Sequence, residues 1–224
     1  MSVQENLKHF LSEIPGHVKL VAVSKTKPVE LIREAYEAGY HIFGENKAQE
    51  LAAKRSQLPD DIEWHFIGHL QRNKVKYIIP FVALIHAVDS LKLLKEINKQ
   101  AASHNRVVDC LLQFHIAKET TKFGLNYEEA AELFKSDEYA SMKNIRISGV
   151  MGMATFTDDM EQVREEFKSL KNIFDMLKAT YFPDKDSFKE ISMGMSNDYQ
   201  VAIEEGSTII RIGTKIFGKR ETTH

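Results

Sequence analysis

The chain has 224 residues, 43% of them hydrophobic and 28% charged, with 30 Lys+Arg against 32 Asp+Glu for a net charge of -2. These proportions are ordinary for a globular chain, and the near balance of charge supplies no global basic field to draw nucleic acid or an anionic membrane surface. The longest apolar runs are too short to span a bilayer, and Met1–Lys8 lacks the basic-then-apolar order of a signal peptide, so a cytoplasmic location is expected.

Along the chain, short runs rich in β-branched residues alternate with segments whose apolar residues recur at helical spacing. Val3–Ile14 reads as a helix ahead of the first strand, Lys19–Val23. Lys25 follows that apolar run, just before Pro28 opens a helix over Val29–Ala38. A lysine at the end of a buried strand is partly desolvated, which favours the free amine and makes it a candidate nucleophile for a carbonyl; alternatively it marks the strand's exit into solvent. Further strands are predicted at His41–Phe43, Glu63–Ile67, Leu84–Val88, Val108–His115, Arg146–Met151, Glu190–Met193 and Thr208–Ile212. Between them fall helices at Lys47–Gln57, Arg72–Ile79, Leu91–Ala102 and Tyr127–Phe134, and a long one after Asp158, with Asp158 and Glu161 placed as a capping box. The last, Asp198–Glu205, is closed by Gly206. The lone cysteine, Cys110, sits in an apolar run and reads as a buried, inert thiol.

Eight strand–helix units in a chain of this length predict a single-domain (β/α)8 TIM-type barrel spanning residues 1–224, with the extra N-terminal helix as a lid over the barrel bottom. The alternative, an open doubly wound sheet, usually has fewer strands and a Gly-rich first turn. In a barrel, reactive residues gather at the C-terminal ends of the strands. The loops after the last two strands carry Gly194, Ser196, Gly213 and Thr214, small and hydroxyl residues suited to a phosphate, although such residues also serve as helix caps. Arg211 lies inside a β run and needs an acceptor, either a carboxylate such as Glu190 or Asp198 or a group on a bound ligand. His65 and His69 flank a strand end, where their spacing does not converge on a metal, and the short basic loop Gln71–Lys76 does not make a nucleic-acid surface.

Val23-Ser24-Lys25-Thr26-Lys27-Pro28, Phe43-Gly44-Glu45-Asn46, Trp64-His65-Phe66-Ile67-Gly68, Gly194-Met195-Ser196 and Arg211-Ile212-Gly213-Thr214-Lys215-Ile216-Phe217-Gly218 together resemble the pyridoxal phosphate homeostasis protein family. These are single-domain relatives of the N-terminal domain of alanine racemase, and the likeness runs from Val18 to Arg220. It implies an alanine racemase N-terminal-domain-like fold with pyridoxal 5′-phosphate held as a covalent aldimine on Lys25. It also implies Asn46 near the cofactor ring, Arg211 facing the pyridine nitrogen, Ser196, Gly213 and Thr214 on the phosphate, and His65 and Met153 lining the pocket. The segment Leu112–Lys118 departs from the family pattern, while Lys122-Phe123-Gly124 keeps its spacing.

The chemistry agrees with that resemblance. An aldehyde cofactor needs an amine, a phosphate cradle and a group beside the ring nitrogen; a permanently cationic arginine there disfavours ring protonation and weakens the electron sink. Alanine racemase adds a tyrosine base from a further C-terminal domain, whereas this chain stops at His224 soon after the eighth strand. The expected function is therefore intracellular storage, buffering or delivery of the cofactor by a monomer, with apo-enzymes as recipients, no catalytic residue and no metal. A small amino-acid racemase is the alternative. A Schiff-base aldolase or sugar-phosphate isomerase is a third reading, but the isomerase wants a carboxylate after strand six, where Gly149–Thr155 has none.

Overall fold

Apolar residues on both faces of most strands require both faces of the sheet to be covered, which a closed barrel wrapped in helices achieves. The computed structural model describes residues 2–119 and 123–218 and has this form. In chain order the elements are α1 Val3–Glu13, β1 Lys19–Val23, α2 Val29–Glu37, β2 Ile42–Glu45, α3 Ala48–Arg55, β3 Glu63–Phe66, a 3₁₀ segment Arg72–Tyr77, β4 Leu84–Val88 and α4 Leu91–Ser103. They continue with β5 Val108–Gln113, α5 Tyr127–Lys135, α6 Asp137–Ala140, β6 Ile145–Met151, α7 Met160–Tyr181, β7 Glu190–Ser192, α8 Tyr199–Glu204, β8 Ile209–Ile212 and α9 Thr214–Phe217. All neighbouring strands pair in parallel, and β8 returns to β1 in the register Lys19↔Ile209 through Ala22↔Ile212.

The predicted strands all form, with shifts at their ends. β5 stops at Gln113 because Phe114 leaves the ladder to bridge Leu125. The connection after β3 tightens into a 3₁₀ segment instead of the predicted α-helix. The long helix is capped by Asp159, whose carboxylate accepts from Gln162 N at 3.1 Å, so the cap lies one residue beyond the expected Asp158–Glu161 box. Gly206 has φ +99° behind α8, the left-handed conformation of a helix terminator. Cys110 is fully buried, and burial pushes its thiol far above the usual range. Lys122 lies outside the described residues.

The N-terminal helix does not cover the barrel bottom. α1 buries Val3, Leu7 and Phe10 against α2 and α9, Phe10 meets the Tyr199 ring at 5.0 Å, and Asn6 Nδ2 donates to Ile216 O at 3.0 Å. Among the described residues one helical turn, α9, follows β8, and α1 packs across it and α2 on the outside of the barrel. The bottom is open instead, as a cleft lined by charged strand-start residues including Lys19, Glu63, Asp109 and Arg146.

Two apolar layers result. The outer core lies between strands and helices and includes Trp64, Phe43, Phe66 and Phe167, while Val21, Leu84, Leu111, Met151 and Ile209 pack inside the barrel. Beside this inner cluster runs a polar file. His65, fully buried, bonds Glu63 Oε1 through Nε2 and His86 Nε2 through Nδ1, both at 2.8 Å, and His86 Nδ1 meets Ser192 Oγ at 2.8 Å.

Burial pulls both imidazoles below the usual histidine range, His86 far below it, against the opposing pull of Glu63 on His65. The charges facing the pair are Glu63, Lys19, Glu190 and Arg211. Glu63, bonded to His65, is itself held down at about 2. Depressed folded values mean that the unfolded chain, with its histidines near pKa ~6.5, binds protons which the fold refuses. Stability is therefore complete above pH ~6.5 and should fall below it by up to about 1.4 kcal/mol per pH unit for each ring. Urea unfolding between pH 7.5 and 5 should show this loss, with a shallower slope in His86→Gln. An unfolding midpoint that does not move over that range would contradict neutral buried rings.

Candidate functional site

At the C-terminal ends of the strands a cavity of about 550 Å³ opens to solvent. Lys25 after β1, Asn46 after β2, Met153 after β6, Ser196 after β7, and Arg211, Gly213 and Thr214 from β8 onward all line it. His65 does not, contrary to expectation. The two-residue alternation of β3 turns it inward below the cavity, so it belongs to the polar file beneath.

The Lys25 loop is held from behind. The buried Lys54 ammonium donates to Ser24 O at 2.8 Å, Glu45 Oε1 at 2.7 Å and Glu50 Oε1 at 2.8 Å. Ser24 Oγ donates to Glu45 Oε1 at 2.6 Å, and Thr26 N to Glu50 Oε1 at 2.7 Å. The carbonyl before Lys25 and the amide after it are thus both anchored, and Thr26 turns the chain with φ +63°. Burial pushes the Glu45 carboxyl above the usual carboxylate range, opposed by Lys54. Lys25 continues the inward face of Val21 and Val23, whereas Lys27 is not among the cavity-lining residues.

Arg211 is 4% exposed, and burial lowers its guanidinium to about 10. Its Nη1 donates to Ser192 Oγ at 2.5 Å and its Nη2 to Gly152 O at 3.2 Å. Its hydrogen-bond partners are therefore neutral oxygens and neither of the expected carboxylates. Asp198 instead accepts from Met195 N at 2.6 Å and shapes the loop that carries Ser196. Gly194 turns into that loop with φ +102°, and a Cβ there would stand 2.7 Å from Ala202 Cβ. It serves the turn and does not line the cavity. On the neighbouring strand, a Cβ at Gly213 would lie 3.1 Å from Val23 O, so a larger residue would crowd the end of β1. Ser196 and Thr214 bring two hydroxyls to adjacent loops, beside the first amides of α9, a setting that favours an anion.

One further observation tests what fits. Asn46 Oδ1 is buried without a hydrogen-bond partner, a costly state for an amide oxygen unless a ligand supplies a donor. An amine, a guanidinium, two hydroxyls and this oxygen suit a small anionic aldehyde with a ring and polar substituents, and the residues present fit pyridoxal 5′-phosphate.

Sequence reasoning missed part of the wall. His69, Gln113, Phe123 and Phe156 also line the cavity, with His69 stacked on Phe123 at 4.1 Å and Phe156 85% exposed at the rim. His69 had a signal, its place just after β3; the two phenylalanines lie in irregular segments without periodicity. Among the described residues no cluster of three or more metal-ligating side chains forms, and no helix is long and apolar enough to cross a membrane.

The family model described as "Alanine racemase, N-terminal domain" matches residues 1–221. A pyridoxal phosphate homeostasis protein of Aquifex aeolicus is 44% identical over 205 residues, covering 91% of this chain and 87% of its own. One from Vibrio alginolyticus is 38% identical, covering 98% of each chain. Among solved structures, PipY of Synechococcus elongatus with pyridoxal phosphate bound superposes with a TM-score of 0.87 at 34% identity, over 97% of this chain and 100% of its own. Alanine racemase of Clostridium difficile, at 14% identity and TM-score 0.77, shares the fold over 99% of this chain and 60% of its own. The barrel closure, the cavity and these relatives agree: the chain belongs to the pyridoxal phosphate homeostasis protein family, built on the alanine racemase N-terminal domain.

Proposed function

We propose that the chain, acting as one unit over residues 1–224, binds pyridoxal 5′-phosphate in this cavity and stores, buffers or delivers it within the cytoplasm as a monomer. The observation that carries this reading is the convergence of Lys25, Asn46, Arg211 and the Ser196–Thr214 hydroxyl pair on one cavity. The cofactor supplies an aldehyde that condenses with an amine, losing water, and a phosphate that a polar cradle can hold. On the protein side, Lys25 offers the amine, Ser196, Gly213 and Thr214 hold the phosphate, Asn46 and Met153 flank the ring, and Arg211 meets its nitrogen. Apo-enzymes that use the cofactor are the recipients. Arg211 keeps positive charge where ring protonation would otherwise occur, which weakens carbanion chemistry and supports a carrier without a dedicated reaction.

Lys25, rather than Lys27, should carry the covalent bond. Borohydride reduction of the loaded protein followed by peptide mapping decides this, and label on Lys27, or none despite bound cofactor, would remove the assignment.

Thr214→Val deletes a hydroxyl while nearly keeping side-chain shape. Binding of pyridoxal 5′-phosphate should weaken by roughly 1–3 kcal/mol, with little change for unphosphorylated pyridoxal. Equal losses for the two ligands would place the phosphate elsewhere.

The competing reading is a small racemase, suggested by the shared fold. A cation at Arg211 weakens the electron sink that proton abstraction needs, so the protein incubated with L-alanine in deuterated water should incorporate little α-deuterium while still passing cofactor to an apo-enzyme. Multiple-turnover racemisation abolished by Lys25→Ala would establish the enzyme instead.

A further inference from the structure

The polar file inside the barrel does not end at the histidines. It runs unbroken from the open bottom cleft to the cavity: Glu63, His65, His86, Ser192, Arg211, with links of 2.8, 2.8, 2.8 and 2.5 Å. Its two ends fix its direction. An arginine can only donate and an ionised carboxylate can only accept. Starting at Glu63, His65 Nε2 must carry a hydrogen, which leaves Nδ1 of a neutral ring as an acceptor. His86 must then donate from Nε2 and accept at Nδ1, and the Ser192 hydroxyl must point its hydrogen at His86. That orientation turns a lone pair of Ser192 Oγ toward Arg211 Nη1. With both rings neutral, one arrangement satisfies every group in the file, and His65, His86 and Ser192 are fully buried.

We propose that His86 and His65, acting through Ser192, are positioning residues for Arg211: they lock the serine hydroxyl so that the guanidinium is held in one orientation at the cavity floor, its remaining N–H groups directed to the ligand. The inference rests on the reading that the cavity holds pyridoxal 5′-phosphate with Arg211 at its ring. Among the described residues Arg211 has no carboxylate hydrogen-bond partner, Asp198 acting on it only through its charge, and its hydrogen bonds to Ser192 Oγ and Gly152 O set its orientation. A serine hydroxyl free to rotate would offer that acceptor only part of the time. The histidines remove this freedom from across the barrel, and so the ring environment of the ligand depends on residues that never touch it.

The test has two arms. In the ligand-free protein, ¹⁵N NMR of the imidazoles should find His65 and His86 neutral with the hydrogen on Nε2, and Ser192→Ala should leave that tautomer in place, because Glu63 sets it through His65. A charged ring, or the hydrogen on Nδ1 of either residue, would overturn the proposal without reference to any cofactor. In the second arm, pyridoxal 5′-phosphate is titrated into wild type, Ser192→Ala, Ser192→Thr and His86→Phe, each checked for folding by circular dichroism. Loss of one such hydrogen bond corresponds to about tenfold in affinity. Ser192→Ala and His86→Phe should weaken binding by about that factor and displace the visible absorption band, and Ser192→Thr should restore both. Unchanged affinity and band position in Ser192→Ala would sink the positioning role, and that variant decides alone if His86→Phe does not fold. A wild type that takes up no cofactor would instead refute the functional reading and leave the tautomer result to judge the file.

Discussion

Pairing of β1 with β8 in the register Lys19↔Ile209 through Ala22↔Ile212 closes the sheet and sets how far the two segments overshoot the ladder. Val21 stands beside Arg211, so Lys25 and Gly213 emerge at the same rim although they belong to opposite ends of the sequence. A slip of one residue would turn either Arg211 outward into the apolar shell or Val21 out of the inner cluster, according to which strand shifted. Burial of Val21 and Ile209 inside the barrel, and of Leu20, Ile210 and Ile212 outside it, makes that slip costly, so the packing of the two layers is also what holds the amine and the guanidinium in place.

The interior is unusual in the amount of polarity it carries. A wholly apolar filling would be simpler to stabilise, since a buried polar group helps only when its partners are all present. Here a file of alternating donors and acceptors spans the barrel from an open cleft to a ligand cavity, and Arg211 lies at its upper end against neutral oxygens. A carboxylate bonded to the guanidinium would have satisfied it more strongly but would also have neutralised it. Neutral acceptors hold the cation here, and Asp198 acts on it through its charge without a hydrogen bond.

Much of this was legible from the residues. The alternation of β runs and helical segments identified the barrel because each strand is a separate, short, strongly apolar signal; Leu84–Val88 and Lys19–Val23 keep their predicted bounds. The cavity residues at strand ends were also recognisable, since lysine, arginine and hydroxyls next to glycine are exceptional at such places. What escaped depends on three-dimensional placement. His65 looked like a pocket residue by its motif, yet the side on which it points follows from the alternation of β3. His86 and Ser192 read as ordinary members of apolar strands, and their meeting across the barrel depends on tilt and closure that one strand does not encode. The placement of α1 depends on its packing against α2 and α9, a tertiary contact rather than a local pattern.

The cage around Lys54 has a consequence for chemical selectivity. An aldehyde entering the mouth of the barrel would meet a protein with lysines nearby, and indiscriminate modification would scatter it. An ammonium has three hydrogens to donate, and Lys54 meets three oxygens, those of Ser24, Glu45 and Glu50, each within 2.8 Å. No lone pair is left to attack a carbonyl, and the side chain is 8% exposed. The same contacts that fasten the loop thereby mask the lysine behind it, and Lys25 is the lysine that lines the cavity.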